Sequence, residues 1–221
     1  MTIRRDLLKL DEKGKLKKTY GGAIKTNFIN SEIPYNSKMK SNDKEKNEIS
    51  KRALDFIKGN ETLLLDAGTT NFALAKRLRN FKKLTIVTTD LKIAVELSEN
   101  TDNQIIILGG KIQNKVMATV GQYVTEFLSN FRVDLSFIGT SAIDREYNLT
   151  TPTIDKVFIK RSMINNSKIS FLLSDSSKFG KRSLNKICNI SEFDYFITDD
   201  KWDKRQIKEL KEIARELVVV K

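Results

Sequence analysis

The residues of this chain that could do chemistry gather where apolar runs stop. The stretch "LLLDAGTTNFALA" runs from an apolar segment through Asp66, Ala67, Gly68, Thr69 and Thr70 into a helical pattern. Small residues there let backbone N–H groups approach an anion, the two threonine hydroxyls add donors, and a helix N-terminus supplies positive potential. Capping of the helix by threonine alone is the competing structural role. Four further apolar runs end in a similar way. "VTTD" offers Thr88, Thr89 and Asp90, which read first as a helix cap. "ILGG" offers Gly109 and Gly110, for close backbone approach or a tight turn. "FIGTSAID" offers Gly139, Ser141 and Asp144. "LLSDSSKFG" offers Asp175, able to accept from sugar hydroxyls, and Lys178, able to bind a phosphate; a solvated turn is the alternative. Hydroxyl and amide donors with an acid or two and a lysine suit a phosphorylated polyol. The set lacks the nucleophile, base and orienting group of acyl or hydride transfer.

Composition narrows the classes further. The 221 residues hold no histidine and one cysteine, Cys188. Zinc sites of the usual N/S kind, His-based triads and a disulfide framework are therefore excluded, and no metal or cofactor is called for. No apolar run approaches the roughly 18 residues of a membrane span, and no signal peptide opens the sequence, so a cytoplasmic protein is expected.

The elements that must position these residues are legible as patterns. "TLLLD", "LTIVTT", "QIIILGG", "DLSFIGT", "ISFLLSD", "YFIT" and "ELVVV" are near-continuous apolar strands, as expected when a strand is buried on both faces. Helical patterns such as "NFALAKRLRN" and "DKRQIKELKEIA" fit between them. The fold class is α/β, a mostly parallel sheet with flanking helices. In such sheets ligands bind beyond the carboxyl ends of the strands, where the candidate residues lie. A helix is expected through "KEKNEISKRALDFIK", capped by Asn42 or Asp43, with Ile49, Ala53, Phe56 and Ile57 buried.

The front of the chain differs. The net charge is +12, and Arg4, Arg5, Lys9, Lys13, Lys15, Lys17, Lys18 and Lys25 face only Asp6, Asp11 and Glu12. Such crowding suits phosphate backbones, although a solvated lysine-rich surface has the same composition. Ile3, Leu7 and Leu10 form an apolar stripe at helical spacing, while Thr2, Arg5 and Lys9 line another face, as a helix in a major groove requires. Gly14 would close that helix. "KLKKTY" reads as a wing strand with Lys17 and Lys18 set for phosphates.

"TIRRDLLKLDEKGKLKKTYGGAI" resembles the recognition helix and wing of the DeoR family of bacterial transcriptional repressors, with Tyr20, Gly21 and Gly22 at the family's aromatic-Gly-Gly ending. The family carries about two more helices ahead of this point, so the resemblance implies an N-terminally incomplete, partial winged helix–turn–helix. The likeness continues in order through "LLLDAGTTNFALAKRL", "TIVTTDLKIAVELS", "ILGGKIQ", "FIGTSAID", "LTTP" (with Thr150), "IKRSMI" and "LLSDSSKFG". These look like the family's sensor domain, similar in fold to ribose-phosphate isomerases. The resemblance implies that the "DAGTT" loop holds the phosphate of a sugar-phosphate effector and that Gly109, Gly139, Asp175 and Lys178 border the sugar.

Three departures stand out. The isomerase relatives carry two aspartates where this chain has Ile138 and Ser141, so their general-base chemistry is missing. The family's usual glutamate before the "KR" pair is Lys156, which bears on effector choice, and its third loop threonine is Asn71. The expected organisation is a DNA-binding segment over 1–25, a linker over 26–42 and a sensor over 43–221. The expected function is a repressor, at least dimeric, whose affinity for operator DNA falls when a phosphorylated sugar binds. An isomerase-like enzyme and an effector-binding remnant without DNA binding are the alternatives.

Overall fold

A computed structural model describes residues 3, 5–7, 16–24, 27–99 and 102–221. All seven apolar runs form strands of one sheet: β3 (Thr62–Leu65), β4 (Thr85–Thr88), β5 (Gln104–Ile107), β8 (Val133–Ile138), β11 (Ser167–Leu173), β13 (Tyr195–Asp199) and β14 (Leu217–Val220). Their order is β14-β13-β11-β8-β3-β4-β5, and every pairing is parallel. Alternation along β3 shows why the runs are apolar throughout. Leu63 and Leu65 face one core, Leu64 faces the other, and all three are fully buried. Removing such a leucine from water is worth about 1.5–3 kcal/mol, so neither face tolerates a polar residue cheaply.

Helices cover both faces. Helices α2 (Asp43–Leu54), α3 (Thr69–Leu78) and α4 (Leu91–Ser98) contribute Ile49, Leu74 and Ile93 to the core on the Leu63 side. Helices α5 (Gln122–Ser129), α6 (Ile154–Asn165) and α7 (Lys204–Ile213) contribute Val124, Val157 and Leu210 to the other. Helix α2 is shorter than the pattern predicts, because Asp55, Phe56 and Ile57 tighten into bonds to carbonyls three residues back. The Phe56 ring then packs against Phe171 and Tyr195, 4.9 Å from each centroid.

Smaller sheets surround this layer. Hairpin β6 (Lys111–Gln113) with β7 (Ala118–Val120) follows β5, and β9 (Ala142–Ile143), β10 (Asn148–Thr151) and β12 (Asn185–Asn189) form an antiparallel trio. At the front, β1 (Lys17–Thr19) pairs antiparallel with β2 (Gly22–Ile24). The turn between them is Tyr20-Gly21, fully exposed at Tyr20, with Gly21 at φ 90, a conformation that needs glycine. This is the hairpin expected of the wing. Ile3, Arg5, Asp6 and Leu7 are helical, with Ile3 and Arg5 exposed; Thr2, Arg4, Lys9, Leu10, Gly14 and Lys25 lie outside the described residues.

The segment read as a linker is docked along the sheet domain. Ile29 donates to the Arg182 carbonyl at 2.8 Å, Arg182 donates back to Asn27 at 2.9 Å, and Tyr35 donates to the Lys115 carbonyl at 2.8 Å. It includes a one-turn helix, α1 (Tyr35–Met39). No helix among the described residues is long and apolar enough to cross a membrane.

Candidate functional site

The strand order reverses direction at β3. The chain proceeds outward through β4 and β5 on one side, and β8 pairs with β3 on the other. Segments leaving β3 and β8 therefore diverge and open a crevice at the carboxyl ends of the two strands. Backbone and side chains stitch its floor. The Asp66 amide donates to Phe137 at 3.0 Å, and Asn71 Nδ2 donates to both the Asp66 and Phe137 carbonyls, at 2.9 and 3.0 Å. The Gly139 amide donates to Asp66 Oδ2 at 3.0 Å. Lys160, from α6, pairs with that oxygen and donates to the Gly139 carbonyl at 2.8 Å. Asn71, at the position of a family threonine, thus holds strand ends together, which a threonine could not do with two carbonyls at once.

Ala67, Gly68, Thr69, Thr70 and Asn71 form one wall of the cleft; Gly139, Thr140 and Ser141 form another; Ser174, Asp175 and Lys178 leave β11 to form a third. Helix α3 begins at Thr69, so its first-turn amides point out of the helix into this space without intrahelical acceptors. The Gly68 amide is already used: it donates to Asp90 Oδ2 at 3.1 Å. Asp90 also caps α4 through the Lys92 and Ile93 amides, and burial pushes its carboxyl up to about 6 against those donors.

Lysines converge on the crevice. Lys38, Lys46, Lys156, Lys160 and Lys178 all line it, against the carboxylates of Glu32, Asp66 and Asp175. Burial pulls the Lys38 ammonium down to about 8, helped by repulsion from Lys156, and burial also lowers Lys46 and Lys156. Burial alone would raise the Glu32 carboxyl, but Lys156 and Lys38 outweigh it and hold it below the usual range. Asp175 Oδ2 is buried and accepts no hydrogen bond, with Lys178 Nζ 3.5 Å away. Underpaired cations, free helix amides and an unsatisfied carboxylate oxygen on the cleft wall together make a receptor for an anion that also carries hydroxyl donors.

Of the residues singled out in the sequence, the structure brings together Asp66, Ala67, Gly68, Thr69, Thr70, Gly139, Asp175 and Lys178. Five others lie elsewhere, and all but Gly109 have structural partners. Thr88 Oγ1 donates to the Leu65 carbonyl at 2.7 Å. Thr150 Oγ1 accepts from the Ser183 amide at 2.9 Å. Asp144 caps its own turn through the Glu146 and Asn148 amides. Gly110 allows a backbone approach, since an added Cβ would sit 2.8 Å from the Val120 carbonyl oxygen, and Gly109 is beside it at the edge-strand exit, two strands from the crevice. Sequence reasoning missed Glu32, Lys38, Lys46 and Lys160 as site residues. The i, i+4 spacing of Lys156 and Lys160 on a helix that is otherwise apolar toward the sheet was the one available signal. Among the described residues no cluster of three or more metal-ligating side chains occurs.

Two family models match the chain. Residues 1–27 match the DeoR-like helix-turn-helix domain, and residues 41–200 match the DeoR C terminal sensor domain. The chain is 33% identical over 209 residues to the HTH-type transcriptional regulator GlpR of Haloferax volcanii, covering 95% of this chain and 82% of that protein. It is 34% identical over 199 residues to the glycerol-3-phosphate regulon repressor of Escherichia coli, covering 90% and 78%. Among solved structures, ribose 5-phosphate isomerase from Methanocaldococcus jannaschii is similar with a TM-score of 0.46 at 16% identity, over 63% of this chain and 55% of that one. With the basic hairpin at its front and the parallel-sheet domain behind it, the chain belongs to the DeoR family of helix-turn-helix transcriptional regulators.

Proposed function

We propose that the crevice binds a phosphorylated sugar or polyol and that this binding lowers the affinity of the basic front for operator DNA, making the chain a repressor of a carbohydrate operon. The observation that carries the reading is the convergence of five lysines and the free first-turn amides of α3 on a cleft whose Asp175 Oδ2 lacks a donor. The phosphate sits against Thr69, Thr70 and Asn71 with Lys178 beside it, and Asp175 accepts from a sugar hydroxyl. Residues 1–25 act as the DNA-contacting segment, 26–42 as the connection and 43–221 as the sensor. We read the cleft as a binding site without a catalytic step, since Ile138 and Ser141 stand where the isomerases carry aspartates. The working form is a homo-oligomer in the cytoplasm, at least a dimer to match paired half-sites.

Calorimetry against hexose and pentose phosphates, with the dephosphorylated sugars as controls, tests this. At least one phosphate ester should bind and its free sugar should not. Lys178→Ala should cost about 1.5–3 kcal/mol, the value of a charge-assisted hydrogen bond, or one to two orders of magnitude in affinity. Free sugars binding as well as their phosphates, or an unchanged Lys178→Ala, would overturn the assignment.

A further inference from the structure

The carboxylate of Glu32, on the docked segment between the hairpin and the sensor, lies at the edge of the crevice, against two of the lysines that line it. Its side chain is 4% exposed. Lys156 Nζ lies 2.8 Å from Oε1, and Thr153 Oγ1 donates to the same oxygen at 3.0 Å. Lys38 Nζ stands 3.8 Å from Oε2, too far for a hydrogen bond, and Oε2 is buried with no other partner. Ile33, the next residue, lines the crevice together with Lys38 and Lys156.

Two ammonium groups and a hydroxyl around one carboxylate are the donor set that recognises a ligand oxyanion. One half of that set is only loosely engaged, and the carboxylate is supplied by a connecting segment, so it can be exchanged without disturbing the sheet. We propose that Lys38, Lys156 and Thr153 form an oxyanion subsite at the edge of the crevice, filled by the chain's own Glu32 when no effector is bound, and that the phosphate of an effector seated against α3 takes up Lys38 and Lys156, displaces Glu32 and loosens residues 27–42. The proposal rests on the reading of the crevice as the effector site.

The consequence follows from connectivity. Residues 27–42 follow the β1–β2 hairpin in the chain, and Glu32 lies between the backbone attachments at Ile29 and at Tyr35. Expelling its charge removes the one buried side-chain anchor between those attachments. The segment then holds the DNA-contacting end less firmly, and both ends of the protein respond to one exchange of anions. Reciprocity requires that a chain with its segment fixed in place bind the effector more weakly.

The test uses the full chain, inorganic phosphate as the probe, and hydrogen exchange over residues 27–42 with calorimetry alongside. In the wild type, phosphate should bind and lower protection across 27–42. Glu32→Gln should bind phosphate at least about tenfold more tightly, because a like charge near the site is gone, and its segment should be less protected before any phosphate is added. The double variant Glu32→Gln/Lys156→Gln leaves no new uncompensated buried charge; it should fold and show no change in protection when phosphate is added. Phosphate binding that leaves protection over 27–42 unchanged in the wild type, or equal phosphate affinity in Glu32→Gln, overturns the subsite while leaving the effector cleft standing. Absence of phosphate binding in all three proteins overturns both.

Discussion

The side chain of Asn42 donates to Asp175 Oδ1 at 3.0 Å, joining residues 133 positions apart. It also donates to Ser177 Oγ at 2.7 Å. Asn42 precedes α2 in left-handed backbone geometry, φ 51, and its side chain does not cap that helix. It turns instead toward the β11 exit and fixes the carboxylate whose other oxygen faces the crevice. Asn42→Ala should therefore cost about 2 kcal/mol in urea unfolding, from two hydrogen bonds and the left-handed backbone. Asn42→Gly keeps the backbone freedom and should recover about 1 kcal/mol of that. Equal stability of Ala and Gly variants would remove the backbone part of the account.

Gly68 offers a clean separation of folding from binding. A Cβ added there meets nothing within 4 Å, and its backbone is extended, so Gly68→Ala should leave stability within about 0.5 kcal/mol of the wild type. The same atom projects into the cleft beside the α3 amides. Gly68→Leu should reduce sugar-phosphate affinity at least about tenfold by calorimetry while the thermal midpoint stays put. A large drop in midpoint would show that the glycine serves the fold.

Effector binding should be linked to protons at mildly alkaline pH. The Lys38 ammonium is pulled down to about 8 from an ordinary value of 10.5, and a bound phosphate favours its charged form. Affinity should fall as pH rises above about 8, by up to about tenfold per unit from this group. The sign for stability is opposite. Between 8 and 10.5 the unfolded chain holds more protons on this lysine, so its contribution to stability grows with pH across that window and is lost again as pH falls through 8. Lys38→Gln should flatten both profiles; a binding profile that stays unchanged in this variant would assign the linkage to another group.

Operator binding should be steeply salt dependent. Lys17 and Lys18 lie in β1 of the hairpin. If each neutralises one DNA phosphate, Lys17→Ala or Lys18→Ala should lower the log–log salt slope by about 0.9. Anisotropy titrations at several salt concentrations give the slope directly, and an affinity independent of salt would discard phosphate neutralisation as the source of binding.

Much of the architecture was open to reading because a strand buried on both faces carries few polar positions, and those small and hydrogen-bonded like Ser136 and Thr88, so seven apolar runs announced seven parallel strands. The strand exits were legible for the same reason: where an apolar run breaks into "DAGTT", "IGTS" or "LSDSSK", the chain must leave the sheet, and three such exits border the crevice. What the sequence did not disclose depends on docking. Glu32, Lys38 and Lys46 sit in a stretch of ordinary polar composition, and nothing in their spacing says that this stretch folds back onto the sheet. Thr88 and Thr150 show the converse. Hydroxyls at strand ends are equally fit for a ligand or for a neighbouring backbone group, and here they serve Leu65 and Ser183.

The strand order also fixes when the sensor can exist during synthesis. Strands β3, β4 and β5 are neighbours in the order they leave the ribosome, so that half of the sheet can pair as it emerges. The crevice has no second wall until β8 docks beside β3, and no third until the residues after β11 have been translated. The β1–β2 hairpin is finished long before. A nascent chain stalled midway would carry its basic front without any means of hearing the effector.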